Sequence, residues 1–152
     1  NPDAGAPKAA AAAAPVDYLE MTFEALGGIP YHLWIRLRAD ADFYGNDSVS
    51  VQFSDSVTAS GAATTRIGST SAASVILEDG PNAVIAGWGW QDNGYGTDLL
   101  GSDIYFAQSG THTIRVQRRE DGVAIDQIVL SAGRFLRVPP GAVRNDATIV
   151  PR

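Results

Sequence analysis

Residues 31–38, Tyr-His-Leu-Trp-Ile-Arg-Leu-Arg, alternate without a break. Tyr31, Leu33, Ile35 and Leu37 form one apolar side, and His32, Trp34, Arg36 and Arg38 form the other. A period of two belongs to a β-strand with one face in a core, and the opposite face here is polar but carries a tryptophan. Residues 47–54 repeat the pattern, with Val49, Val51 and Phe53 inward and Ser50, Gln52 and Ser54 outward. Further strands are predicted at 18–23, 64–67, 74–78, 84–90, 111–118 and 123–130. The last two are separated by Glu120-Asp121-Gly122, whose Asp-Gly step is the turn chemistry of a tight hairpin. About eight short strands, Gly-rich turns and no amphipathic helix predict an all-β fold: a jelly-roll β-sandwich of two antiparallel sheets.

Three regions follow from the pattern. Residues 1–16 are an Ala/Pro-rich arm, with Ala9 through Ala14 between Pro7 and Pro15, read as a linker or an extended edge strand. Residues 17–133 hold the strands, and residues 134–152, with Pro139-Pro140-Gly141, form an irregular tail packed on the sandwich. Six alanines are too few for a stable isolated helix.

Composition narrows the function. The 152 residues carry a formal charge of −6 with a single lysine, Lys8, and scattered arginines, so the clustered basic footprint of a nucleic-acid or anionic-membrane binder is missing. Zero cysteines remove disulfides and thiolate chemistry, and there is no apolar run of spanning length or signal-peptide pattern. Catalytic signatures are missing too: two histidines, His32 and His112, lie far apart, and no G-x-S-x-G or G-x-G-x-x-G motif occurs. His112 shares a face with Ile114 and Val116, as a core histidine would. Glu20, Glu24, Glu78 and Glu120 could supply a glycosidase carboxylate pair only if the fold brought two together. Asp40-Ala41-Asp42 opens like an EF-hand, but Tyr44 and Val51 stand where ligands are needed, so it reads as a polar loop.

The distinctive segment is Gly87-Trp88-Gly89-Trp90-Gln91-Asp92-Asn93-Gly94-Tyr95-Gly96. Trp88, Trp90 and Tyr95 supply flat rings for the C–H face of a sugar, and Gln91, Asp92 and Asn93 supply hydroxyl partners. Two core tryptophans accommodated by glycines fit the same letters. Trp34, Arg36 and Gln52 form a second candidate surface.

Residues 31–36, 46–54, 88–96, 109–116 and 125–130 together resemble galactose-binding-like β-sandwich modules, close to carbohydrate-binding modules of families 6 and 35. The resemblance implies a non-catalytic domain that attaches a secreted or surface protein, of bacterial type, to a polysaccharide or other glycan. It also implies a structural calcium, with Asp126 the matching carboxylate, although the opening Glu-Ala-Glu motif of such modules has no counterpart before Tyr18. The alternative is a structural subunit that self-assembles into an oligomer or polymer by exchanging the N-terminal arm. A polysaccharide-degrading enzyme is the third option. Asn46-Asp47-Ser48 is a glycosylation sequon.

Overall fold

A computed structural model describes residues 3–97 and 99–151. It is all-β, with strands β1 (Tyr18–Ala25), β2 (His32–Ala39), β3 (Ser48–Phe53), β4 (Ser56–Val57), β5 (Ala73–Ile76), β6 (Gly89–Gln91), β7 (Tyr105–Phe106), β8 (Gly110–Arg118) and β9 (Val123–Ser131). One sheet has the order β1-β8-β3-β5 and a second the order β6-β2-β9, while β4 and β7 form a two-stranded ribbon. The pairings between these strands are antiparallel.

The two larger sheets form a sandwich around a core built from the apolar sides that alternation marks. Leu33, Ile35 and Leu37 of β2 meet Val49, Val51 and Phe53 of β3, Val75 of β5, and Ile114 and Val116 of β8. Each such side chain contributes roughly 1.5–3 kcal/mol when fully buried. One end is closed by aromatic rings: Phe106 lies 5.5 Å from Phe23, 5.7 Å from Tyr31 and 4.2 Å from His112. His112 is buried there, its Nδ1 2.6 Å from Asp55.

Three expectations are corrected. Residues 120–122 do not close a hairpin. Strand β8 already has β1 and β3 on its two edges, so the chain crosses to the other sheet and β9 pairs with β2. Gly122, at φ +76°, makes that corner, and a Cβ on it would come 2.6 Å from Asn46. Residues 64–67 form only a bridge between Arg66 and Phe53, because Thr65 at φ +42° interrupts extension. The strand expected over 84–90 shrinks to Gly89–Gln91, since Gly87 turns at φ +61°.

Both outward faces are roofed by the chain itself. The N-terminal arm lies extended across β8, with the Ala9 N–H donating to Arg119 O at 2.7 Å. The C-terminal segment crosses the β6-β2-β9 sheet: the Trp90 N–H donates to Ala142 O, and the Asp146 N–H to Trp88 O. A Cβ on Gly89 would sit 2.0 Å from Val143 O, which measures how closely this segment presses on β6. Between the edges of β1 and β9 the sandwich is open, leaving apolar clefts of about 390 and 260 Å³.

Candidate functional site

The roofing decides what the candidate residues can do. Trp34 and Trp90 are 4% and 0% exposed, yet neither belongs to the main core. Cross-strand pairing of Arg36 with Trp90 puts them on the outward face of β2 and β6, where the C-terminal segment seals them. Trp34 Nε1 donates to Phe135 O at 2.7 Å, whereas Trp90 Nε1 is buried without a partner. Neither offers an open stacking platform, and the outward β2 surface expected from alternation is a covered one. Arg36 is spent as well: it donates to Asp126 Oδ2 at 2.5 Å and to Asp146 O at 2.6 Å.

Trp88 is half-buried just before β6, with the guanidinium carbons of Arg36 and Arg38 each 5.1 Å from its ring centre. Gln52 faces outward on the other sheet but is fully buried, donating to Ser69 O and Ser71 O and accepting from Gln117. Tyr95 is 48% exposed. Asp126, the residue matched to calcium, accepts a hydrogen bond from the Arg36 guanidinium. The Arg36 guanidinium takes one of its two oxygens, and the described residues contain no group of three acidic or histidine side chains gathered for a metal. The residues present therefore do not fit a structural calcium at Asp126.

Gln91, Asp92 and Trp34 do come together, at a cleft of about 330 Å³. Asp79, Leu99 and Leu100 line it with them, as do Arg137, Pro139 and Val143 of the C-terminal segment. Gln91 faces the sandwich interior and donates to Leu77 O. Asp92 is buried and anchored from three directions. Its Oδ1 accepts from the Gly94 N–H at 2.7 Å, and its Oδ2 accepts from the Gly101 N–H at 2.9 Å and lies 2.6 Å from His32 Nε2. Burial pushes the Asp92 carboxyl up, but the His32 contact and the two backbone donors outweigh it and hold it below the ordinary value.

The glycines of this loop are required by the chain's own backbone. A Cβ on Gly94 would meet Leu99 O at 2.2 Å, so the space beside this glycine is filled by the loop's own backbone. Asn93 donates to Ser102 O, while its Oδ1 is buried with no partner.

His32 extends the network. Its Nδ1 lies 3.4 Å from Asp103 Oδ1, and Asp103 receives both Arg137 amino groups at 2.6 Å. The Arg137 guanidinium is the main cause of the depressed Asp103 carboxyl, aided by His32. The result is a rigid line, Arg137–Asp103–His32–Asp92, running behind the cleft, with the His32 ring 4.9 Å from that of Trp34. Arg137 is its open end, with a side chain 56% exposed.

Sequence reasoning missed His32, Asp103, Arg137 and the two leucines. The place of His32, two residues before Trp34 on the same strand face, was a usable signal. Arg137 lies in an irregular segment where no period marks it.

Comparison of the chain with known protein families, curated proteins and solved structures found no match. What the fold and the cleft define is a class: an all-β sandwich with a small polar-and-aromatic cleft at the edge of its shorter sheet.

Proposed function

We propose that the protein is a non-catalytic carbohydrate-binding module of galactose-binding-like, jelly-roll type, which holds a secreted or surface protein to a glycan. The observation that carries this reading is the cleft at Trp34, Gln91 and Asp92, with the half-exposed Arg137 on its rim. Leu99, Leu100 and Pro139 offer apolar contact beside the largely buried Trp34, and the Arg137 N–H groups not engaged by Asp103 remain as donors on the rim. Sugars need this mixture, since each ring has an apolar C–H face and a belt of hydroxyls. At about 330 Å³ the cleft stands near the small end of ligand sites, suited to one or two sugar units rather than a long chain. The buried network favours binding over turnover. Asp92 already accepts from three donors, which suits it to a positioning role.

The test is native affinity electrophoresis against soluble polysaccharides. Retardation by one polysaccharide class is expected for the wild-type chain, and Arg137→Ala should lose most of it while melting as a folded protein. Absence of retardation across the panel, or an unaffected Arg137→Ala, would overturn the proposal.

A further inference from the structure

The outward face of the four-stranded sheet carries a second built site, and its occupant is visible. Residues 3–14 lie on it in an extended path, held almost wholly through their backbone. Asp121 Oδ2 accepts the N–H groups of Ala4 and Ala6 at 2.7 and 2.9 Å. The Ala9 N–H bonds Arg119 O, and Lys8 Nζ reaches Glu120 Oε1 at 3.1 Å. The Gln117 side chain then reads the Ala12 peptide in full: its Oε1 accepts the N–H and its Nε2 donates to the C=O, both at 3.0 Å.

Gln117 is itself 2% exposed and is aimed by a 2.6 Å bond from Nε2 to Gln52 Oε1, and Gln52 is in turn tied to Ser69 O and Ser71 O. A buried amide aligned by a second buried amide is a preorganised peptide reader.

We propose that this face is a docking site for an extended Ala-rich peptide and that it takes the arm of a second copy in place of its own, linking copies arm to face. A second copy's arm has the same sequence and can make the same contacts, and two observations favour its exchange. The arm adds no side chain to the apolar core, whose buried members begin at Ala25; what it bonds is the polar set Gln117, Glu120 and Asp121. The segment joining it to β1 contains Pro15 and Val16, the latter 93% exposed, so a swing there disturbs little packing. The contact is head to tail, and such contacts propagate into open chains unless the rotation closes. The tethered arm competes at an effective concentration of about a millimolar, so exchange should appear only when copies are concentrated or held side by side. The inference does not depend on the sugar site.

The cysteine-free chain makes a direct test available. In an Ala9→Cys/Arg119→Cys variant the two thiols lie across the arm–face contact. Oxidised from dilute solution, it should run as an internally bridged monomer. Oxidised after incubation near millimolar concentration, it should give a ladder extending past the dimer, and an Ala9→Cys/Ser60→Cys control should not. Monomer alone at every concentration would overturn the proposal.

If the cysteines disturb folding, native mass spectrometry of the unaltered chain serves instead. Equal amounts of unlabelled and ¹⁵N-labelled protein should form mixed oligomers that decline several-fold in Gln117→Leu. No mixed species, or mixed species undiminished by Gln117→Leu, would overturn it, the latter outcome placing self-association elsewhere, as at the cleft between β1 and β9.

Discussion

Asp47 stands immediately before β3, 1% exposed, with Oδ2 accepting the Glu78 N–H at 2.7 Å and Glu120 beside it. Burial raises its pKa from 3.8 to about 7; the Glu78 N–H pulls it down, and the neighbouring Glu120 carboxylate adds to the rise. Asp47→Asn replaces a carboxyl that holds its proton with an amide of the same shape. The amide oxygen still accepts from Glu78, and its N–H₂ faces Glu120 as the carboxylic O–H did.

The sign follows from proton binding. Between about pH 4 and 7 the native protein keeps a proton that the unfolded chain has released, so the wild type loses stability as pH rises through that window. Below it both states are protonated and the penalty vanishes; above it the penalty is complete. The interval from 3.8 to about 7, at about 1.4 kcal/mol per tenfold change, sets a ceiling of about 4 kcal/mol. Urea unfolding of both proteins across this range should show equal stability in acid and a variant gaining up to that amount at pH 8, or about 10 °C in Tm. Glu120, Asp92 and Asp146 act with the opposite sign, because their depressed pKa values make the fold lose stability as acid titrates them. The Asp92 and Asp146 contributions are common to both proteins and cancel in the difference, whereas that of Glu120, which is lowered in part by Asp47, belongs to the difference itself. Parallel pH curves for the two would refute the reasoning.

Trp90→Ala should cost about 3–5 kcal/mol in urea unfolding, whereas Trp90→Phe should cost much less, because Nε1 has no acceptor to lose. Gly89→Ala drives a methyl group into Val143 O and should cost about 2 kcal/mol or more. Limited proteolysis should then cut the C-terminal segment first. The sequon at Asn46 should stay unmodified when folded protein meets a glycosylating extract, read by intact mass. Asn46 is 3% exposed, and its Nδ2 donates to Asp3 Oδ2 and Asp40 O.

Alternation predicted the inner faces of β2, β3 and β8 residue by residue, because a period of two reports which side chains point together. It could not report whether an outward side chain meets water. Trp34 and Gln52 point outward as expected, Trp90 shares the outward face of Trp34, and all three are buried nonetheless, because irregular segments distant in sequence lie over them. The pairing of β9 was equally hidden. The Asp-Gly step encodes a sharp turn, but the edges of β8 were already taken by strands far earlier in the chain. In the site, Asp92 was legible from its polar neighbours, while the partners that hold it, His32 and the N–H groups of Gly94 and Gly101, depend on how the loop folds back.

The four-stranded sheet also sets the order in which the molecule can be made. Strand β1 pairs with β8 alone, joining Ala25 to Gly110 and Tyr18 to Gln117, partners 85 to 99 positions apart. Strand β3 likewise waits for β8, since its other neighbour β5 is only four residues long. At roughly 5–20 residues per second of synthesis, the early strands spend several seconds outside the ribosome before their central partner exists. During that time Phe23 on one strand and Val49, Val51 and Phe53 on another, all packed in the finished core, are uncovered. Distant pairing of this kind slows folding itself as well. The sandwich is therefore a late-closing fold, and its yield in a cell should depend on what shields those strands until β8 emerges.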